Sequence, residues 1–517
     1  MHTRVTGGAL HGIDVHLVQV EADISSGLPA TRTVGLPEAA AREGNERVRA
    51  AIQNSGFTYP CKRILINLAP ADVRKKGSSL DLAMAVAIIS GAEGIDIAPL
   101  AGVVLYGELG LDGGIRPVPG ALAASMAARQ GGATGVVVAL DNAAEAGAIA
   151  TMQVLAASSL RDVIAHLKGE APIAPYTAQA RGAGSPTGPA HALDLSDVRG
   201  QTPARRALEI AAAGGHNLIL VGPPGSGKTM LARRLPGILP PLTPDEAVEV
   251  TRIHGSIGTG VRSGLLSERP FRSPHHTVSS VALAGGGALA RPGEVSLAHH
   301  GVLFLDELPE FQREAIEVLR QPMEEGFVTV ARSARTSRYP AAFMMVAAMN
   351  PCRCGHLGDP RKACRCTPLS VTRYRGRISG PLLDRIDLHV EVPGVAYKDL
   401  AATAPGEASV PVAERVLSAR RFQARRQGAI PGAAFTNARV PLGRLRACAT
   451  PDASGKRILE AAMSRLALSA RAHDRILRVA RTIADLEGAE FVRSVHIAEA
   501  IQYRCLDRAV EVVATGC

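Results

Sequence analysis

Eight consecutive residues, Gly222-Pro223-Pro224-Gly225-Ser226-Gly227-Lys228-Thr229, offer the chemistry that is easiest to read in this chain. Glycines at these spacings let backbone N–H groups turn inward around phosphates, and a helix starting directly after them adds partial positive charge. Lys228 is placed to reach the β- and γ-phosphates of ATP, and the Thr229 hydroxyl to hold Mg²⁺. Further on, an apolar run ends in Asp306-Glu307. Asp306 is expected to hold the Mg²⁺ through its water shell, and Glu307 to polarise the attacking water. A second chemistry lies in Cys352-Arg353-Cys354 and Cys364-Arg365-Cys366. Four thiols on two short pairs can surround one tetrahedral, structural Zn²⁺, with His356 as an alternative to one of them. Two disulfides are the competing reading, disfavoured in a reducing compartment. Arg353, Arg361, Lys362 and Arg365 stand beside the thiols, where they offset thiolate charge and can also meet phosphates.

These residues need elements to position them. Leu218-Ile219-Leu220-Val221 reads as a buried parallel strand, and Met230 to Leu235 as helix, so the glycine-rich loop has the strand–loop–helix context it requires. Val302-Leu303-Phe304-Leu305 predicts a strand that delivers the acid pair, and Phe343 to Met349 a third strand ending in Asn350. Before them, Val18, Val20, Ala22 and Ile24 alternate with polar residues as in a half-buried strand. Helix is expected from Pro37 to Gly56, strands at Arg63–Leu68 and Val103–Leu109, and a hairpin turn at Asp112-Gly113-Gly114. Residues 169–193 are rich in Ala, Gly and Pro and read as a linker. Gly326–Arg332 and Arg335–Tyr339 suggest a hairpin with a basic tip carrying Arg332, Arg335 and Arg338. Such a tip is either a DNA contact or an ordinary solvated charge run. The pair His275-His276 has no acidic or Cys partner at helical spacing, which favours a loop touching nucleotide or a neighbour over a metal site.

Residues 12–169 resemble the proteolytic domain of Lon-type proteases. The likeness is carried by Lys76-Gly77-Ser78-Ser79 and by Gly107-Glu108-Leu109 leading to Arg116-Pro117-Val118-Pro119-Gly120. In those proteases a Ser nucleophile pairs with a Lys base. Ser79 falls at the nucleophile's place, but Leu122 stands at the base's, and no Lys lies between Lys76 and Lys168. A serine without a base is a poor nucleophile, so a structural scaffold is expected. The nucleotide motifs resemble AAA+ ATPases, which implies that Asn350 is the sensor 1 residue that helps to place the water. It further implies that Arg385, in Gly380-Pro381-Leu382-Leu383-Asp384-Arg385, is an arginine finger reaching a neighbouring subunit's γ-phosphate. Arg375 and Arg377 are weaker alternatives. Arg471 matches the sensor 2 arginine of a helical lid. Nearly the full chain resembles the ComM-type, magnesium-chelatase-like AAA+ ATPases of bacteria, through Ser273-Pro274-His275-His276-Thr277, Gly293–His299, Ser379–Arg385 and Ala480–Leu486.

The fold expected is therefore multidomain α/β. A Lon-protease-like (S5 domain 2-like) N-terminal domain spans 1–168, a P-loop AAA+ core with a parallel sheet 194–395 (its cysteine cluster at 352–366), and a helical lid 396–517. The resemblance implies a ring, a hexamer, acting as a DNA helicase in branch migration. A magnesium chelatase ATPase subunit and an ATP-dependent protease are the rivals. Composition agrees with a polyanionic partner: net charge is +11 over 517 residues. Aromatic residues make up only 3% with no Trp, which argues against base-stacking platforms. Leu82–Ala92, the most apolar run, is too short to span a bilayer, and no signal-peptide core follows Met1. Eight scattered or clustered cysteines fit a reduced, cytoplasmic setting.

Overall fold

Contacts along the computed structural model divide the chain into two units, residues 1–185 with 243–267 and residues 186–242 with 268–517. All residues are described except 36–38, 72–74, 76, 150, 178–192, 259–263, 288–289, 333–334, 360–361, 395–405, 429–435 and 508–517. Most of the expected linker, Lys76, Arg361 and the tip of the basic hairpin thus lie outside the described residues.

In the first unit, Asp14–Ser25 alternates as expected, with Val18, Val20 and Ala22 fully buried. It pairs antiparallel with His2–His11, Val5 opposite Val20, and with Arg63–Ala69, Ala22 opposite Ile66. These strands belong to a seven-stranded sheet ordered Ala30–Val34, Arg63–Ala69, Asp14–Ser25, His2–His11, Val103–Tyr106, Gly135–Ala139, Gln153–Ala157. The helix Asp81–Glu93 is apolar all round and buried from Asp81 to Gly91, as its composition demands. The expected hairpin forms between Glu108–Leu109 and Ile115–Arg116. Gly113 at its turn has φ +84°, and a Cβ there would sit 2.0 Å from Ser55 Oγ, so only glycine fits. Ser79 is buried and donates to the Gly8 carbonyl at 2.9 Å. Leu122 is fully buried, and its N–H donates to Glu145 Oε1 at 3.1 Å. Lys75, also fully buried, has its ammonium on the carbonyls of Gly35 and Pro70. The helix Pro244–Ser256, opened by a Thr243–Glu246 capping box, joins this unit, and Gly120 N–H donates to the Gly255 carbonyl at 3.0 Å.

The second unit is built on a five-stranded parallel sheet ordered Phe271–Arg272, Val302–Leu305, Met344–Met349, Leu218–Val221, Leu388–Glu391. Strand periodicity of two sends alternate side chains to opposite faces. Leu218, Leu220, Val346 and Ala348 pack with the helix Thr202–Gly214 and with the C-terminal helices. Ile219, Val221, Met345 and Ala347 pack with Val295, Ile316, Leu319 and Ile386 on the other face. Both faces are covered, which is why the central strands read as unbroken apolar runs. The C-terminal helices Ser409–Gln427 and Ala470–Leu486 bring Val412, Val416, Ile476, Val479 and Ile483 into the same core as Thr202–Gly214. Among the described residues no helix is long and apolar enough to cross a membrane.

Candidate nucleotide-binding site

The strand order places the carboxyl ends of Leu218–Val221, Val302–Leu305 and Met344–Met349 side by side. The glycine-rich loop, Asp306-Glu307 and Asn350 follow those three ends, the position where open parallel sheets bind ligands. Gly225 and Gly227 have φ of +76° and +90°, which turns the loop as a phosphate cradle requires. A Cβ on Gly222 would sit 2.0 Å from the Val392 carbonyl oxygen, so the loop can approach the neighbouring strand only through glycine. Helix starts at Lys228.

Lys228 is nearly buried, and its Nζ donates to the carbonyls of Gly222 at 2.7 Å and Pro223 at 2.9 Å and to Asn350 Oδ1 at 3.3 Å. Burial pulls its pKa below the usual lysine range, against the opposing charges of Asp306 and Glu307. The Thr229 hydroxyl donates to Asp306 Oδ2 at 2.7 Å. One ammonium, one hydroxyl, two carboxylates and one amide thus converge on a loop shaped for phosphates. That donor set fits a Mg²⁺–nucleotide.

Glu307 has φ +54°, a strained backbone for a residue with a side chain. Its carboxylate lies 3.6 Å from His276 Nδ1, and His276 stacks on His275 and meets the edge of Phe311. The His-His loop therefore lies beside the acid pair, in keeping with the expectation of a loop that touches nucleotide or a neighbour.

The arginines are placed differently. Arg385 is 5% exposed, ion-paired to Glu324 at 2.5 Å and bonded to the Pro381 carbonyl. Arg377 pairs with Glu310 at 2.8 Å, and Arg375 donates to the Pro351 carbonyl at 3.2 Å. Arg471 is exposed in the first turn of Ala470–Leu486, a helix capped by Ser469. The basic hairpin forms between Phe327–Arg332 and Arg335–Pro340, with Arg332 opposite Arg335. Arg338 is exposed and lies 3.4 Å over the Phe327 ring; the side chains of Arg332 and Arg335 fall outside the described set. Cys352, Cys354, Cys364 and Cys366 are brought to one point.

Three family descriptions match successive stretches: "Subunit ChlI of Mg-chelatase" at residues 20–142, "Magnesium chelatase, subunit ChlI" at 194–400, and "Magnesium chelatase, subunit ChlI C-terminal" at 406–504. The "Competence protein ComM" of Haemophilus influenzae is 42% identical over 501 residues, 97% of each chain. This chain belongs to the ComM-type, magnesium-chelatase-like family. Another relative, the "Uncharacterized protein YifB" of Salmonella typhimurium, is 44% identical over 98% of this chain and 97% of its own. The "Magnesium-chelatase 67 kDa subunit" of Chlorobaculum parvum is 29% identical over 163 residues, 31% of this chain and 23% of its own. The ComM-type, magnesium-chelatase-like family is one of AAA+ ATPases.

The His-His loop was expected near nucleotide without its partner, and two further neighbours of the site escaped the sequence reading. His276 touches Glu307, Glu324 holds Arg385, and a Cβ on Gly355 would lie 2.6 Å from Pro224 Cδ of the phosphate loop. The His-His pair beside Pro274 was the one available signal. The other two depend on tertiary pairing.

Proposed function

We propose that this chain is the subunit of an ATP-hydrolysing ring, a hexamer, that moves on DNA and drives branch migration. The observation that carries the ATPase reading is the Thr229–Asp306 hydrogen bond, with Lys228 on Asn350 beside it. When ATP and Mg²⁺ bind, they supply a cleavable γ-phosphoryl group and a charge that offsets its developing anion. Lys228 would turn from the loop carbonyls to the phosphates, Thr229 and Asp306 would hold the metal, and Glu307 would accept the proton of the attacking water, with Asn350 orienting that water. Arg385 completes a neighbour's site, and Arg471 closes from the lid. The DNA half is supported by the net charge of +11, the basic hairpin that carries Arg332, Arg335 and the exposed Arg338, and the competence protein among the relatives.

Lys228→Ala should lose nucleotide binding and hydrolysis together, whereas Glu307→Gln should bind ATP and turn it over at least ~100-fold more slowly, as loss of a general base predicts. Equilibrium binding of a fluorescent ATP analogue, read beside phosphate release, separates the two. Normal hydrolysis by either variant overturns the assignment.

The chelatase reading is favoured by the ChlI descriptions and by the partial match to a magnesium-chelatase subunit. A motor of that kind acts on separate porphyrin-binding subunits. The protease reading is disfavoured by Ser79, whose hydroxyl is buried on a backbone carbonyl, and by Leu122. The first unit then serves as a Lon-protease-like scaffold, and the helices beyond residue 406 as the lid.

A further inference from the structure

The residues after Asn350 fold two cysteine pairs onto one point. Cys352 Sγ lies 3.4 Å from Cys354 Sγ and 3.6 Å from Cys364 Sγ, and Cys354 and Cys364 are 3.6 Å apart. The ligand atoms of all four, Cys366 included, lie within 4.8 Å of one another. A disulfide requires about 2.05 Å between sulfurs, so these contacts are not S–S bonds. Four thiolates at about 2.3 Å from a tetrahedral ion stand roughly 3.8 Å apart, close to the spacing seen. An iron–sulfur cluster, whose thiolates bind different iron atoms, needs a wider spread. Backbone N–H groups point at the sulfurs: Cys366 on Cys364 at 3.4 Å, and His356 and Arg365 on Cys354. Arg353 and Arg365 stand exposed beside them, where their charge offsets that of bound thiolates. His356 is not among the ligand atoms that converge here, which leaves Cys366 as the fourth ligand.

A second observation ties this cluster to the phosphate loop. The turn Cys352–Gly355, closed by Gly355 N–H on the Cys352 carbonyl at 3.0 Å, packs against Pro224. Gly355 has φ +83°, and a Cβ would fall 2.6 Å from Pro224 Cδ. The same short segment leads back to Asn350 through Pro351. Ligands that fix the turn therefore also fix one wall of the loop.

We propose that Cys352, Cys354, Cys364 and Cys366 hold one structural Zn²⁺, and that this ion seats the Gly355 turn against Pro224 and so steadies the phosphate loop. The coupling rests on the nucleotide reading above, whereas the metal site stands without it. Linkage makes the coupling reciprocal: if zinc favours nucleotide, nucleotide must favour zinc by the same factor.

The test uses the full-length chain purified without chelator. Elemental analysis should find about one zinc per chain, the stoichiometry of a single four-thiolate site, and Co²⁺ in its place should show the visible absorption of tetrahedral thiolate. A metal-free protein whose thiols all titrate, or iron in place of zinc, overturns the site. For the coupling, wild-type chain is equilibrated with a competing chelator, with and without ADP and Mg²⁺. Apparent zinc affinity should rise about fivefold or more with ADP, the lower end of coupling between linked sites. Gly355→Ala should keep its zinc and bind ADP at least about fivefold more weakly. Unchanged zinc affinity in a protein that binds ADP overturns the coupling alone. Failure of the wild type to bind ADP removes the nucleotide reading and the coupling together, while the zinc content is judged separately.

Discussion

Arg385 is almost fully buried, with Glu324 at 2.5 Å. A finger that acts on a neighbour's nucleotide must exchange that carboxylate for phosphate. The proposed role in trans has a direct consequence. Arg385→Ala alone should lose about 10³-fold in hydrolysis, the lower range for an arginine finger. Glu307→Gln should be equally inactive for a different reason. Mixed, the two inactive proteins should regain activity, because some interfaces pair an intact Glu307 with an intact Arg385. Phosphate release from the mixture measures this, and a mixture that stays inactive shows that Arg385 does not act across subunits. At this scale the sequence was most legible where chemistry is local in the chain. Lys228 and Thr229 are adjacent and framed by glycines, and Asp306-Glu307 closes an apolar strand, so their meeting followed from one sheet order. Glu324 and Gly355 take their meaning from partners far along the chain, and no spacing rule reaches them.

Among the elements, the C-terminal helix Ala470–Leu486 is held to the sheet by a buried polar network as well as by its apolar face. Arg475 Nη1 lies 2.7 Å from Asp387 Oδ1, and His216 Nδ1 lies 3.4 Å from Asp387 Oδ2, which also accepts from Asn217 N–H at 3.0 Å. His216 Nε2 meets Thr482 Oγ1 at 2.7 Å, and Asn437 bridges Thr482 and Asp485. Burial works against the Asp387 carboxylate, but Arg475 and His216 outweigh it and hold its pKa well below the usual range. A depressed folded-state pKa gives stability that is complete above the unfolded value of about 3.9 and is lost as pH falls through the folded value. Asp387→Asn should therefore cost about 3 kcal/mol or more at pH 7, since it breaks a buried pair. In urea unfolding that gap should persist to about pH 5 and narrow only below about pH 4. No gap at pH 7, or one that opens on acidification, contradicts the network. The strands Asp14–Ser25, Arg63–Ala69, Leu218–Val221, Val302–Leu305 and Met344–Met349 were legible because burial imposes period two or an unbroken apolar run, whereas His2–His11, Ala30–Val34, Gly135–Ala139, Gln153–Ala157, Phe271–Arg272 and Leu388–Glu391 were not among the strands expected. The helix Pro244–Ser256 lay inside the expected nucleotide core, yet it packs with the first unit. Its capping box marks a helix start and says nothing of which core receives it.

For the whole molecule, the resemblance and the comparisons agree on the family along nearly the full chain, while the partner is where the readings diverge. A ring with basic hairpins facing its centre grips phosphates without reading bases, so its response to DNA must be indifferent to sequence and strongly dependent on salt. A chelatase motor answers to porphyrin-binding subunits instead, and a protease to unfolded protein. The decisive measurement is steady-state ATP hydrolysis by the full-length chain as single-stranded and branched DNA are titrated in. Stimulation by DNA of unrelated sequences is expected, weakening steeply with added salt and lost in the Arg335→Ala, Arg338→Ala double variant while basal hydrolysis remains. Hydrolysis that ignores DNA at every salt concentration, and rises with a porphyrin-binding subunit or an unfolded protein, contradicts that expectation.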